Sequence, residues 1–553
     1  MRLKKAFLFF SLLVVGLLLS GCYGGEGAST EDQNSTNDSG KTELAQELNL
    51  TAGGDLATMN TLGAYDGGAV VVLNSVFEGL HRIGPDNTIV PGIAESYELS
   101  EDNKTYTFKL REDAVWSDGT PVTAHDFVYS WRKAIHPDTA AYFGYLMLDI
   151  KNAAKIQNPD DELYGKAEEL GIKAADDYTF VVELEYPVPY FIGLTATSVF
   201  FPQNKEFVEA QGENYALDVD SMIYNGPFVL DTWKQGEGWT MKKNETYWDA
   251  DTVKLTTINQ KIVKETSTAI NLYETGEIDV VGLSSEYVDQ YKNSKEYSTS
   301  EQPTIYFFRM NHANEYLKNE NIRKAIDMGW NKQNMADLLL NNGSIPAYYL
   351  VPSGFVNGPD GKDYRKSSGN YNVTDIEKAK EYWNKGLEEL GVDRVTLDLL
   401  SYDGEMSKTL VEYIKNQLET NLPGLTIEIN MQPSKQKLEL EASVSFDLDY
   451  GGWAPDYQDP ITFLEIFTSD SYYNQSNYKN EAYDELITKA RHTQDQTERW
   501  NILIEAEKLL MESATIGPIY QAGSARLTKP YVKDLYRHPF GTDISFKWAY
   551  IEE

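Results

Sequence analysis

The stretch that decides the fold is Phe446-Asp447-Leu448-Asp449-Tyr450-Gly451-Gly452-Trp453-Ala454-Pro455-Asp456-Tyr457-Gln458-Asp459-Pro460. Its first half predicts a short strand that ends at two glycines, where a backbone or a ligand can approach closely. A tryptophan and an aspartate in an X-Pro-Asp turn follow, so the segment can form one wall of a ligand site. A second interpretation stays open, because aspartates beside proline usually cap helices or form turns. Without the rest of the chain, Asp456 and Asp459 could each have only such a structural role.

The composition indicates a large globular protein with a polar, aromatic surface. A chain of 553 residues is long enough for two or three domains with substantial cores. Tyrosine outnumbers phenylalanine by 37 to 21, which favours a hydrated and adaptable binding surface, although a β-rich fold would use tyrosine as well. The formal net charge of −36 argues against a polyanionic partner, because nucleic-acid binding relies on clustered Lys and Arg. We therefore expect no nucleic acid.

The first 43 residues predict export and attachment to a membrane. Residues 1–21 have a positive start and an apolar run from Ala6 to Leu19, too short to span a bilayer but typical of a signal peptide. The sequence Leu19-Ser20-Gly21-Cys22 resembles the lipobox of bacterial lipoproteins, which implies cleavage before Cys22 and lipid attachment to it. The alternative is an ordinary signal peptide with an incidental cysteine. Residues 22–43 predict a flexible tether.

The absence of any other cysteine limits the chemistry of the chain. Cys22 is the only cysteine in the sequence, so no internal disulfide and no cysteine metal cluster can form. No metal site and no cofactor is expected.

From residue 44 the sequence alternates between strand and helix signals. We predict a strand over residues 47–51, a helix over residues 70–80 and a last core strand over residues 516–520. Two segments have the spacing of a helix-starting capping box, Thr123 to Asp126 and Thr374 to Glu377, and Gly391 is predicted to end the second helix.

Several short segments from residue 77 to residue 325 resemble one protein family when taken together with the opening stretch. Their order and spacing resemble the extracytoplasmic solute-binding proteins of peptide ABC transporters, in the oligopeptide-binding branch. The matching segments are Phe77-Glu78-Gly79-Leu80, Pro91-Gly92-Ile93-Ala94-Glu95-Ser96, residues 110–119 (LREDAVWSDG), residues 123–131 (TAHDFVYSW), Pro187-Val188-Pro189-Tyr190-Phe191, Asn225-Gly226-Pro227-Phe228, Tyr247-Trp248, Gly276-Glu277-Ile278-Asp279 and Ile322-Arg323-Lys324-Ala325.

The resemblance implies an α/β fold with two lobes that close like a clamshell, of the periplasmic-binding-protein class with an extra subdomain. One lobe would comprise residues 44–306 and 517–553, with an inserted subdomain at about residues 81–204. The other would comprise residues 307–516. The hinge would consist of two strands, near residues 304–310 and 515–520, that allow the lobes to close.

The resemblance also implies a ligand and a site. Family members bind an extended peptide between the lobes by strand addition, and Asp456 matches the carboxylate that pairs with the peptide's α-ammonium group. Tyr450, Gly451, Gly452 and Trp453 would lie at the ligand, the last three presenting main-chain groups. Residues after Gly53-Gly54, up to about Asp66, would do the same from the facing lobe.

The sequence departs from the family pattern at three positions. Thr304 and Ala454 stand where related proteins can carry a disulfide, and Tyr450 stands where some carry an arginine. His312 and Arg309 lie near the expected cleft. A surface histidine and an ion-paired arginine are the preferred interpretations of these two residues.

The predicted function is a monomeric, lipid-anchored receptor on the extracytoplasmic face of a bacterial cell membrane. It would capture oligopeptides, with signalling peptides as one class, and deliver them to the permease and ATPase subunits of an ABC importer. The alternatives are an exported surface hydrolase and a folding or adhesion lipoprotein. No enzyme is expected, because the sequence contains neither His-Glu-x-x-His nor Gly-x-Ser-x-Gly.

Overall fold

Two long antiparallel strands, Tyr297–Met310 and Ile516–Thr528, pair within a seven-stranded mixed sheet. They are seen in a computed structural model, which describes residues 44–64 and 66–553. Aromatic and β-branched residues such as Ile305, Tyr306 and Phe307 favour the extended conformation. In spatial order the sheet consists of Val280–Leu283, Ile516–Thr528, Tyr297–Met310, Leu448–Trp453, Val395–Tyr402 and Leu425–Gln432, and Ile345–Pro346 also pairs with Ile516–Thr528.

The pairing of the two long strands is interrupted at two points, between Glu301 and Ile305 and between Tyr306 and Phe307, and the first interruption is the larger. Glu301 pairs with Gly523 and Ile305 pairs with Gln521, so residues 302–304 stand opposite the single residue Ala522. Pro303 lies in this interruption and has no N–H to donate to a ladder. Strands are present at both predicted hinge positions, but they are longer than predicted. The first irregularity overlaps the start of residues 304–310 and lies just after residues 515–520, and the second lies within both ranges.

Residues 1–21, predicted as a signal peptide, and residues 22–43, predicted as the tether with lipidated Cys22, lie outside the described residues. Within residues 44–64 and 66–553, no helix has the length and apolar character needed to cross a bilayer.

The predicted first lobe is built on a four-stranded sheet with the order Glu47–Ala52, Thr257–Ile262, Gly238–Lys243 and Phe228–Lys234. The strand predicted over residues 47–51 is thereby confirmed.

The helix predicted over residues 70–80 is wrong at both ends, because it runs from Gly67 to Val76. Asp66 caps its start, and Arg82 holds its end by donating hydrogen bonds to the carbonyl oxygens of Asn74 (2.8 Å) and Phe77 (3.0 Å). The sequence pattern could not show that an arginine beyond the helix takes over these carbonyl groups.

A second four-stranded sheet lies in the predicted inserted subdomain. Its strands have the order Ala94–Leu99, Thr105–Leu110, Thr179–Glu183 and Ile172–Asp176, and the helix Ala124–Ile135 belongs to the same region. The predicted capping box at Thr123 is confirmed, because the Asp126 carboxylate accepts a hydrogen bond from the Thr123 N–H at 2.8 Å.

The predicted second lobe carries the helices Glu320–Met328, Ile376–Leu390, Glu405–Asn421, Glu481–His492 and Gln496–Glu512. Three of them, Ile376–Leu390, Glu405–Asn421 and Gln496–Glu512, are the longest helices among the described residues. The N-terminal cap of the helix Ile376–Leu390 lies one residue after the predicted Thr374. Asp375 caps it through the Lys378 N–H, whereas the Thr374 hydroxyl donates to the carbonyl oxygen of Trp330 at 3.0 Å. A tertiary contact therefore takes Thr374 out of the cap. Gly391 ends the helix in the left-handed conformation, as predicted.

Shorter helices and strands lie between these sheets and helices in the sequence. The short helices are Ala153–Gln157, Phe191–Leu194, Lys205–Gln211, Thr266–Thr275, Ser285–Tyr291, Lys332–Met335, Tyr364–Ser368, Ser434–Ala442 and Ile461–Leu464. The short strands are His81–Ile83, Ile89–Pro91, Val532–Lys533, Tyr536–Arg537, Ile544–Ser545 and Tyr550–Ile551.

Candidate functional site

A cavity of about 540 Å³ lies where the predicted lobes meet. Its volume is in the range that holds a small organic ligand. Residues from nine separate parts of the chain form its wall, namely Gly67, Val70 and Asn74; Asn87; Phe143 and Leu146; Thr197 and Ser198; Ser300 to Thr304; Gly354; Ala454 to Asp456; Arg526; and Arg537 to Gly541 with Asp543. A second cavity of about 550 Å³ shares Gly67, Arg537 and Asp543 with the first, so the two adjoin.

Asp456 is the predicted site residue that lines the first cavity. Its backbone N–H donates to the Thr462 hydroxyl at 3.3 Å, which fixes the turn after the strand Leu448–Trp453. Its carboxyl group forms a hydrogen bond with Tyr145, which belongs to the other predicted lobe. Burial raises the pKa of Asp456 to about 7, and the nearby Glu465 adds to this effect. Among the described residues no cation pairs with Asp456, so this carboxyl is suited to receive one.

Aromatic side chains surround Asp456. The Tyr145 ring lies 6.0 Å from the Tyr473 ring, and Tyr473 lies 5.1 Å from Trp453. The indole N–H of Trp453 is buried and finds no acceptor within the described part of the chain.

The two glycines of the opening stretch pair with the neighbouring strand Tyr297–Met310. A Cβ atom on Gly451 would come within 2.2 Å of Nη1 of Arg309, and one on Gly452 within 2.9 Å of the Ile305 carbonyl oxygen. Both glycines therefore allow close packing of the strand Leu448–Trp453 against Tyr297–Met310. Their side of the strand does not form the wall of either cavity.

Of the remaining predicted site residues, Tyr450 is buried away from both cavities and Asp66 lines the second cavity. Tyr450 is only 2% exposed, and its hydroxyl group lies 3.0 Å from that of Tyr520. One oxygen of the Asp66 carboxylate accepts from the Ala69 N–H at 2.8 Å, and the other is buried without a hydrogen-bond partner among the described residues. The predicted ligand contacts of Tyr450, Gly451, Gly452, Trp453 and Asp66 stay predictions.

Four buried charges lie beneath Gly451. Arg309 forms ion pairs with Glu441 (3.1 Å) and Asp449 (3.2 Å), and Lys437 pairs with the same two carboxylates, at 3.0 Å from Asp449. All four side chains are at most 7% exposed. The prediction that Arg309 is ion-paired is confirmed. The prediction that His312 lies at the surface is wrong, because the ring is half-buried and lies 3.3 Å from the Thr515 carbonyl oxygen. Burial lowers the pKa of His312 to about 4.

A second set of contacts joins the predicted lobes away from the cavity. The rings of Tyr190 and Tyr457 stack at 4.4 Å, and Tyr186 meets His492 at 5.2 Å. Tyr186 and Tyr190 both donate hydrogen bonds to Asp149. We call these five residues the tyrosine contact. None of the five lines the cavities.

Sequence reasoning missed Tyr145, Arg526, Arg537 and Asp543. Arg526 was predictable in part, because it follows the last predicted core strand. Arg537 and Asp543 lie in a segment with no motif, and only the fold brings them to the cavity. The described residues contain no group of three His, Cys, Asp or Glu side chains placed to hold a metal ion.

Comparison with known proteins agrees with this architecture. The family described as bacterial extracellular solute-binding proteins, family 5 Middle, matches residues 88–475. This chain belongs to the family 5 solute-binding proteins.

The similarity of this solute-binding protein to relatives covers nearly the whole chain. It is 32% identical over 549 residues to the dipeptide-binding protein DppE of Bacillus subtilis, which covers 99% of both chains. The substrate-binding domain of an oligopeptide ABC transporter from Bacillus anthracis superposes with a TM-score of 0.79 at 43% identity, covering 92% of this chain and 99% of the other. Listeria monocytogenes OppA bound to peptide gives 0.78 at 40% identity, covering 92% and 99%.

Membership in this family confirms three predictions. The resemblance seen in the sequence is correct, and the fold is the two-lobed α/β fold of such binding proteins. A solute-binding protein is a transport component and not an enzyme, so the hydrolase alternative falls away. The family is extracytoplasmic.

Proposed function

We propose that this protein captures peptides in the cavity between its lobes and delivers them to the permease and ATPase subunits of an ABC importer. The observation that carries the proposal is the Asp456 carboxyl, which lines the cavity without a cationic partner among the described residues. The α-ammonium group of a peptide supplies such a partner, because an opposite charge stabilises a desolvated carboxylate. The names of the relatives, a dipeptide-binding protein and an OppA bound to peptide, support the same ligand class.

In this proposal the lobes comprise residues 44–306 with 517–553, and residues 307–516, and residues 81–204 form a subdomain of the first lobe. They bend at the interruption near residues 302–304, where the strand ladder is weakest. The Tyr145–Asp456 hydrogen bond and the tyrosine contact then belong to the closed state. The peptide lies extended, and its backbone hydrogen bonds give affinity with little dependence on sequence.

The test is a library of unmodified peptides of about two to ten residues, added at roughly 100 times the dissociation constant of its best binders. We expect the melting temperature to rise by a few degrees, because the ligand binds only the folded protein. We also expect the radius of gyration in X-ray scattering to fall as the lobes close. Peptides recovered afterwards should be intact. No thermal shift, or cleavage at a rate proportional to protein concentration, would refute the proposal.

The proposal places the protein, as a monomer, on the outer face of the cell membrane through a lipid on Cys22. The support is the lipobox-like sequence Leu19-Ser20-Gly21-Cys22 and the extracytoplasmic nature of the family. Mass spectrometry of the mature amino-terminal peptide should show that it begins at a lipidated Cys22. A mature chain that begins elsewhere, or carries no lipid, would contradict the anchor.

Signalling peptides are included among the proposed ligands. Mass spectrometry of the peptides that co-purify with the protein tests this part: one dominant sequence indicates a signalling peptide, whereas a broad mixture indicates nutrient uptake alone.

A further inference from the structure

Two arginines face the first cavity. Arg526 lies on the strand Ile516–Thr528 and Arg537 on the short strand Tyr536–Arg537. The Arg526 guanidinium donates to the hydroxyl groups of Ser300 at 2.8 Å and Ser524 at 2.5 Å, which holds it in place. Arg537 also lines the second cavity, so it stands where the two cavities adjoin.

Neither guanidinium has a carboxylate in contact among the residues that the structure describes. The charge of Asp543 acts on Arg537 through space, but the two form no ion pair. Glu301, another acid of the cavity wall, accepts a hydrogen bond from the Ser353 hydroxyl at 2.9 Å. Asp456 is engaged by Tyr145.

The two arginines also act on each other. Burial lowers the pKa of Arg526 to about 10, and the charge of Arg537 contributes to this shift. Burial lowers the pKa of Arg537 as well. Both groups still carry their charge at neutral pH. Two like charges in a partly desolvated wall are unfavourable until an anion joins them.

A carboxylate fits this place best among the groups that a peptide offers. The planar guanidinium presents paired N–H donors that match the two oxygens of a carboxylate, and such charge-assisted hydrogen bonds are the strong ones. A peptide with a free amino terminus already brings a cation for Asp456, so a carboxylate would complete the complementarity of charge within one cavity.

We propose that Arg537, together with Arg526, binds a carboxylate group of the captured peptide. The inference rests on the proposed function and adds a chemical requirement to it: the ligand carries both an ammonium group and a carboxylate. The carboxylate belongs either to the carboxyl terminus or to an acidic side chain.

Three libraries of short peptides with free amino termini separate these two sources. The first has free carboxyl termini and no Asp or Glu, the second has amidated carboxyl termini and no Asp or Glu, and the third is amidated but contains Asp and Glu. For the wild type we expect the second library to bind at least about tenfold more weakly than the first, the third or both. In Arg537→Gln and in Arg526→Gln this difference should shrink to about twofold or less.

Arg394→Gln is the matched control, because Arg394 is exposed and lines neither cavity. The melting temperature of each variant without peptide reports whether it is folded. Arg537→Lys keeps the positive charge but lacks the paired N–H donors of the guanidinium, so it should recover only part of the difference in affinity between the libraries.

The inference would be overturned if the wild type bound the second library as tightly as it binds the first and the third. So would a tenfold difference that persists in Arg537→Gln. If peptides bind but the arginine variants have no effect, only this inference fails. If no library binds the wild type, the proposed function fails and the inference falls with it.

Discussion

Replacing Asp456 by asparagine is expected to weaken the binding of peptides with a free amino terminus by about 100-fold. The asparagine keeps the size of the side chain but leaves the peptide's α-ammonium group in the closed cavity without a countercharge. Losing one member of a buried ion pair costs about 3 kcal/mol. The same peptides with an acetylated amino terminus lose nothing from the substitution, because they bring no charge. Isothermal titration calorimetry with each peptide in both forms measures the difference.

The control for this experiment is Asp470→Asn, which changes an exposed aspartate of the same predicted lobe. This variant should bind both forms of each peptide as the wild type does. Equal weakening of the free and the acetylated peptides by Asp456→Asn would remove Asp456 from its assigned role.

Asp456 also predicts how the affinity depends on pH. Its pKa is raised to about 7 in the empty protein, so below this pH the carboxyl is protonated and must lose its proton to pair with an ammonium group. Affinity should therefore fall by about tenfold per pH unit as the pH drops below 7. Above about pH 8 the α-amino group loses its charge and the affinity falls again. Asp456→Asn should abolish the acidic side of this profile.

Replacing Arg309 by glutamine should lower the free energy of unfolding by about 3–5 kcal/mol. Arg309 is one of two cations that balance the buried carboxylates of Glu441 and Asp449. Burial raises the pKa of Asp449, and the charges of Lys437 and Arg309 hold it down. Without Arg309, one carboxylate is left uncompensated. Urea unfolding followed by tryptophan fluorescence measures the loss.

The stability that Arg309→Gln loses should be larger at high pH than at low pH. A carboxyl whose pKa is higher in the folded than in the unfolded chain destabilises the protein as the pH rises through the interval between the two values. Removing Arg309 widens this interval for Asp449, so the loss should be larger at about pH 8 than at about pH 5. A double variant, Arg309→Met with Asp449→Asn, removes one charge of each sign and should recover part of the stability. Arg394→Gln serves as the exposed control, and an equal loss in it would contradict the argument.

The sequence predicted those parts of the fold that local chemistry decides. The capping box of Thr123 and Asp126 and the end of a helix at Gly391 were predictable because each depends on residues within one turn. Thr374 was wrongly predicted as the helix cap because its hydroxyl group donates a hydrogen bond to the carbonyl oxygen of Trp330, which is distant in the sequence.

Part of the cavity wall was also predictable, but for a different reason. Asp456 was expected there because its Trp-x-x-Asp-Tyr context resembles the family pattern, and it does line the first cavity. The packing role of Gly451 depends on Arg309, and the place of Arg537 depends on the closure of the chain's last segment onto the cavity. Neither relation leaves a periodic signal in the sequence.

The tyrosine contact bears on the rate at which a ligand can enter. In the proposed closure, the stacked rings of Tyr190 and Tyr457 favour the closed lobes whether or not a peptide is inside. The hydrogen bonds to Asp149 lie within one predicted lobe and hold Tyr186 and Tyr190 in place for this contact. Only the open fraction of molecules admits a peptide, so the apparent association rate is the intrinsic rate multiplied by that fraction. The same contact slows reopening once a peptide is held. If the protein works as proposed, it gives up speed of capture for a long residence time of the peptide.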